Sequence, residues 1–346
     1  MKRFYCECGQ ELFFENDKCE GCGRQVGFDP SSLAMFTWFE GGATPGQLAE
    51  RELRYCGNMS LYGACNWLID AQSESELCLA CRCNRTIPNL KKPVNRKRWK
   101  ALERAKRRLV YSLLRLGLRL VSKWDDPEDG LWFDFLEDKR SDEEVDEGFV
   151  TTGHAGGVIT INVLEADASL REAMRESMNE PYRTLLGHFR HESGHYYWQS
   201  LVADDPEVLT RFRRLFGDES IPYDQALSDY YATGPVADWQ QRFVSAYASA
   251  HPLEDWAETW GHYLHMTDTL ETAMEYRFVP AGAAAASFDE RFRHWESLTV
   301  ALNSLNRSMG LADAYPFVLS PLARQKLAFV DHILVVQRQR GTVPQE

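Results

Sequence analysis

Two histidines four residues apart, with a glutamate beside the first, are the residues of this chain best suited to chemistry: His191-Glu192-Ser193-Gly194-His195. The surrounding run, Tyr182 to Val202, reads as helical. A helix turns once in about 3.6 residues, so both imidazoles lie on one face, where a single zinc ion accepts them. Glu192 then stands beside the metal as a general base for attack by water. The pattern predicts metal-dependent hydrolysis.

Two histidines leave room for a third protein ligand. Candidates lie in Ala250-His-Pro-Leu-Glu254-Asp-Trp-Ala-Glu258-Thr-Trp260. Pro252 suits a first helical turn, where its missing N–H costs nothing. Glu254 and Glu258 are four apart and share a face, which His262 continues. We assign Glu254 to zinc and Glu258 to the outer ring, holding a ligand histidine through its other nitrogen. The reverse also fits the spacing, with His262 then supporting Glu258. His188 reads as a core or supporting histidine, and Trp256 and Trp260 as packing residues.

All nine cysteines lie between Cys6 and Cys83. Clustered pairs in a chain with no sign of an oxidising compartment read as zinc ligands rather than disulfides. Cys6, Cys8, Cys19 and Cys22 form one set, flanked by Gly9, Gly21 and Gly23. So short a segment cannot bury enough apolar surface alone, and a metal would stabilise it. Cys56, Cys65, Cys78 and Cys81 form a second set, with Cys83 as a bystander or a substitute ligand. Two structural zinc ions and one catalytic zinc are therefore expected.

Here the residues carry a resemblance. HExxH followed by a helix with Glu-x-x-Ala-Glu resembles the gluzincin metallopeptidases, most closely those of the lethal-factor type. That resemblance implies that Glu254 is the zinc ligand and that Tyr247, seven residues earlier, assists catalysis. Fifty-nine positions separate His195 from Glu254, so inserted helices are implied. The phrases from Tyr182 to Trp198 and from His251 to Trp260 also resemble a bacterial family of zinc-binding metallopeptidases with an N-terminal zinc ribbon. Cys83 departs from that pattern.

The elements that must position these residues follow from composition and periodicity. The chain has 346 residues, a net charge of −12, and 44% hydrophobic and 26% charged residues. This fits a globular protein of two or three units whose overall surface does not attract nucleic acid or anionic membrane. No run is long and apolar enough for a membrane span. The start, Met-Lys-Arg-Phe-Tyr-Cys-Glu-Cys, lacks the apolar core of a secretory signal, and the cytoplasm is expected.

Residues 91 to 108 carry ten Lys/Arg and one acid, Glu103, with apolar residues at helical steps from Trp99 to Leu120. This predicts an amphipathic helix with a solvated basic face. A nucleic-acid site built on Arg104, Arg107 and Arg108 is the rival reading. Residues 125 to 148 are acidic and read as a surface loop. Val158 to Val163 reads as a strand after the glycine-rich 153–157 segment containing His154, and as an edge on which an extended peptide could pair. Helical spacing dominates beyond Glu165, with an Ala281–Ala286 connector and a most apolar part from Leu322 to Val336.

The expected fold class is α+β: a mostly helical, zincin-like metallopeptidase domain preceded by small zinc-ribbon modules. The expected organisation is a zinc ribbon at 1–28, a second Cys-rich module at 29–90 and a basic helix and linker at 91–125. A catalytic domain at 126–270 and a helical segment at 271–346 follow. The expected function is hydrolysis of a peptide bond in a peptide or protein substrate, by Glu192-assisted attack of water on zinc, with Tyr247 stabilising the oxyanion. The rivals are a zinc-ribbon binding protein with a secondary zincin domain, and a hydrolase of non-protein amides.

Overall fold

The computed structural model describes residues 1–39, 52–177 and 183–341. Tyr182, the expected start of the HExxH helix, lies outside them. The chain divides into two compact units, Lys2–Arg171 and, together with Met1, Glu172–Glu346. The division falls inside the 126–270 stretch.

The first unit runs β1 (Phe4–Tyr5), β2 (Glu11–Leu12), β3 (Gln25–Asp29), β4 (Ala34–Trp38), β5 (Leu53–Tyr55), α1 (Gly57–Tyr62), β6 (Leu68–Asp70) and α2 (Leu79–Arg82). It continues with β7 (Asn84–Thr86), α3 (Pro93–Arg115), β8 (Trp132–Leu136), β9 (Gly153–Ala155) and β10 (Val158–Asn162). Three antiparallel pairs, β1–β2, β3–β4 and β5–β6, carry the cysteine-rich part. Gly9 and Gly23 take left-handed φ values of +87° and +75°, which only glycine adopts freely, and each donates its N–H back to a cysteine carbonyl. The two cysteine sets share one core, because Phe14, Phe28, Trp67 and Tyr111 meet with ring centroids 4.9 to 6.3 Å apart. Asn66 ties that core by donating its amide to the Phe14 and Asn16 carbonyls.

The strand order β7-β8-β10-β9 corrects one expectation. β10 is not an edge, since β8 and β9 pair with both of its sides, so its main-chain groups are not open to a peptide. β8 lies within the acidic stretch expected to be a loop, and its Phe133, Asp134 and Phe135 are buried. Acids on both sides of this short apolar run hid it. His154 lies on the edge strand β9 rather than in a loop.

Basic residues of α3 turn inward as well as outward. Lys106 and Glu103 are fully buried and pair at 3.0 Å, while Lys106 also lies 5.4 Å from the Phe133 and Phe135 ring centres. Arg107 is buried and donates to the Ala64 carbonyl at 2.6 Å. Lys92, Arg98 and Arg108 pair with Asp142, Asp167 and Glu15. Much of the helix's positive charge is therefore matched inside its own unit.

The second unit is helical. The division falls within α4 (Ala168–Ser177), which is followed by α5 (Leu185–Trp198), and this runs into a π-helical turn, Gln199–Ala203. Then come α6 (Pro206–Phe216), α7 (Tyr223–Thr233), α8 (Trp239–Arg242), α9 (Pro252–Glu275), α10 (Phe288–Ser308) and α11 (Pro321–Gly341). The Ala281–Ala285 connector is a 3₁₀ turn. α9 is the central helix, with Trp256, Trp260, Tyr263 and Leu264 fully buried. α11 is tied to it by the buried Lys326, which lies 2.5 Å from Asp255 and donates to the Arg242 carbonyl at 2.8 Å.

Replacing Lys106 by Met should destabilise the first unit by about 3–5 kcal/mol, because Glu103 is left as a buried charge without its partner. Adding Glu103→Gln should recover most of that loss. Denaturant unfolding of the single and double variants measures both; a single variant as stable as wild type would contradict the buried pair.

Candidate metal centre

Two helix starts set the geometry. Thr184 caps α5, its hydroxyl accepting from the Gly187 N–H at 2.9 Å. His251 caps α9 through Nδ1, which accepts from the Leu253 N–H at 3.0 Å, and Pro252 follows as the first helical residue. Glu254 thus sits in the first turn of α9, where the helix dipole favours a carboxylate.

Close packing of α5 on α9 brings the ligands together. A methyl on Gly194 would lie 3.0 Å from the Ala257 Cα and the Trp260 ring, whereas one on Gly261 would make ordinary contact, 3.5 Å from the His191 backbone nitrogen. Trp256 donates its indole N–H to the Gly194 carbonyl at 2.9 Å, and Trp260 to the Ser193 hydroxyl at 3.0 Å. The two tryptophans are therefore hydrogen-bonded struts as well as packing.

Across this contact His191 Nε2 and His195 Nε2 lie 3.2 Å apart. Glu254 Oε2 is 3.1 Å from the first, and Oε1 is 3.4 Å from the second. Glu258 Oε1 is 2.6 Å from His191 Nδ1, and Ser245 donates its hydroxyl to Glu258 Oε2 at 2.6 Å. With Nδ1–H directed at Glu258, the Nε2 lone pair of His191 faces the centre. Glu254 Oε2 is buried and makes no hydrogen bond. Three acceptor atoms thus converge, and at most one proton can lie between them, whereas a divalent cation satisfies all three. Two imidazoles and a carboxylate are a ligand set that suits zinc.

Electrostatics agree. Burial disfavours a charged His191, but Glu254 and Glu258 outweigh it and hold the imidazole well above its usual range. Burial likewise disfavours charge on Glu254, and the two histidines outweigh it, holding the carboxyl well below its usual range. Both shifts favour a positive charge between the imidazoles and the carboxylate. Burial pushes Glu192 up, against the pull of His191 and His195.

The sulfurs of Cys6, Cys8, Cys19 and Cys22 lie within 4.8 Å of one another, and so do those of Cys56, Cys65, Cys78 and Cys81. All four residues of the second set are buried, and the Cys78 N–H points to Cys56 Sγ at 3.3 Å. Cys83 stands apart, its thiol donating to the Leu79 carbonyl at 3.4 Å and pushed up to about 12 chiefly by burial. Among the described residues these two sets and the His191–His195–Glu254 group are the clusters able to hold a metal ion.

Tyr247 lies in a 3₁₀ turn, its ring centre 6.1 Å from that of His191. His262 does not support Glu258: its Nε2 lies 2.5 Å from the Tyr315 hydroxyl, and its ring packs on Phe317. Two residues escaped sequence reasoning. Ser245 could have been suspected from its place two residues before Tyr247. Tyr223, which donates its hydroxyl to Glu254 Oε1, has no signal in the sequence, being 31 residues from its partner.

A family model described as "putative zinc-binding metallo-peptidase" matches residues 95–333. The chain belongs to this family. A zinc-ribbon domain model matches residues 3–92, and so covers both cysteine sets. Uncharacterized proteins of Mycobacterium bovis and Mycobacterium tuberculosis are 39% identical over 342 residues, covering 96% of this chain and 95% of theirs. No solved structure matches the chain. Among the described residues, no helix is long and apolar enough to cross a membrane.

Two outcomes follow from this geometry. Gly194→Ala, which in an open helix would gain up to about 1 kcal/mol, should instead cost about 1–3 kcal/mol by forcing α5 from α9. A raised melting temperature would contradict the close approach. Zinc at His191, His195 and Glu254 would compete with protonation of His191, which Glu254 and Glu258 favour, so affinity should fall as pH drops. Chelator competition between pH 6 and pH 8 measures this, and a flat profile would contradict it.

Proposed function

We propose that this protein is a gluzincin-type zinc metallopeptidase that hydrolyses a peptide bond. The observation that carries the reading is the convergence of His191, His195 and Glu254 acceptor atoms next to the buried Glu192. Zinc held there acts as a Lewis acid and lowers the pKa of water. Glu192 accepts the proton as water attacks the scissile carbonyl and delivers it to the leaving amine. Its burial raises its basicity toward the range that suits both roles. Burial also keeps the Tyr247 phenol protonated, as a donor to the developing oxyanion requires. Glu258 and Ser245 orient His191.

The two cysteine sets hold structural zinc, making three zinc ions per chain with the catalytic one. Zinc ligation of both cysteine sets and a cytoplasmic location go together in this reading. A nucleic-acid role for α3 is not favoured, because Arg107 and Arg108 are engaged by Ala64 and Glu15.

Elemental analysis of the purified protein should give three zinc ions, and His191→Ala with His195→Ala should lose one. Glu192→Gln should keep all three while cleavage of a peptide library falls by about 10²–10⁴-fold. Full cleavage by a zinc-loaded Glu192→Gln variant would overturn the mechanism. Turnover of non-protein amides with no peptide cleavage would overturn the substrate class.

A further inference from the structure

The 58 residues between His195 and Glu254 bring a group of their own to the candidate metal centre. Tyr223, the first residue of α7, donates its hydroxyl to Glu254 Oε1. Its ring meets the His251 ring edge-on at 5.0 Å. His251 is the cap of α9, and with Nδ1 accepting from Leu253 its Nε2–H is free to donate to the Ile221 carbonyl at 3.1 Å, two residues before Tyr223. Cap, loop and tyrosine form one hydrogen-bonded knot behind Glu254. Tyr230, two turns further along α7, packs edge-on against Tyr247 with ring centroids 5.7 Å apart, so the knot and this contact together place α7.

The two oxygens of Glu254 are thereby made unequal. Oε1 receives the phenol hydrogen bond and lies 3.4 Å from His195 Nε2, while Oε2 is buried, makes no hydrogen bond and lies closer, 3.1 Å from His191 Nε2. A carboxylate can bind a metal through one oxygen or two. A donor committed to one oxygen draws its charge and biases binding to the other. We infer that Tyr223 is a positioning residue that makes Glu254 a one-oxygen zinc ligand through Oε2. This leaves the remaining coordination position for water and substrate, as a catalytic zinc site requires. The inference rests on the zinc reading of His191, His195 and Glu254, but not on the identity of the substrate.

The test is zinc affinity, measured by chelator competition on the full chain for wild type, Tyr223→Phe and His195→Ala. Phenylalanine keeps the ring against His251 and removes only the hydroxyl. Tyr223→Phe should weaken by about 10–100-fold the one zinc that His195→Ala loses, with release from both cysteine sets unchanged. An unaltered affinity for that zinc would overturn the inference while leaving the zinc reading intact. Weakening spread over all the zinc ions would overturn it too, by pointing to general loss of structure. If His195→Ala loses no zinc, the reading and the inference fall together.

Discussion

The structure of the site depends on how closely two helices can approach. His191 and His195 face Glu254 because Gly194 lets α5 come close to α9, where a methyl would meet the Ala257 Cα and the Trp260 ring at 3.0 Å. Trp256 and Trp260 hold that contact with hydrogen bonds to the HExxH segment itself. The result is a cluster of three atoms able to hold a metal ion. Stability and function are thus set by the same contact, and Gly194 is fixed by space rather than by backbone conformation.

A second constraint recurs through the chain: concentrated donor groups need matched charge. Four buried thiols at Cys56, Cys65, Cys78 and Cys81 lie near Arg107, Glu103 and Lys106, which are themselves buried. The run of lysines and arginines that suggests a nucleic-acid face is in part the inner lining of its own unit. At the metal centre the order is reversed. There Glu254 and Glu258 favour positive charge on His191.

How much was legible in the sequence depends on the range over which each feature acts. Helical spacing turns positions 191, 195, 254 and 258 into faces, so their convergence and the contact of His191 with Glu258 could be read locally. The cysteine sets were legible for the same reason, and Cys83 was separable only once its thiol was seen to face Leu79. Tyr223 and Ser245 reach the site through the tertiary path of the chain, which spacing does not encode. The misreading of β10 as an edge has a related origin: its neighbour β8 lay concealed among acids, so the pairing on that side was invisible. Charge pattern on α3 likewise could not say which cations face inward.

The most direct measurement is crystallography of the purified protein with anomalous scattering at the zinc edge. The account predicts a zinc peak bound by His191 Nε2, His195 Nε2 and Glu254 Oε2, at about 2.0–2.2 Å from each, with Glu258 bonded to His191 and not to the metal. No anomalous peak at this position in zinc-replete protein, or a zinc ion ligated by Glu258 instead of Glu254, would contradict it.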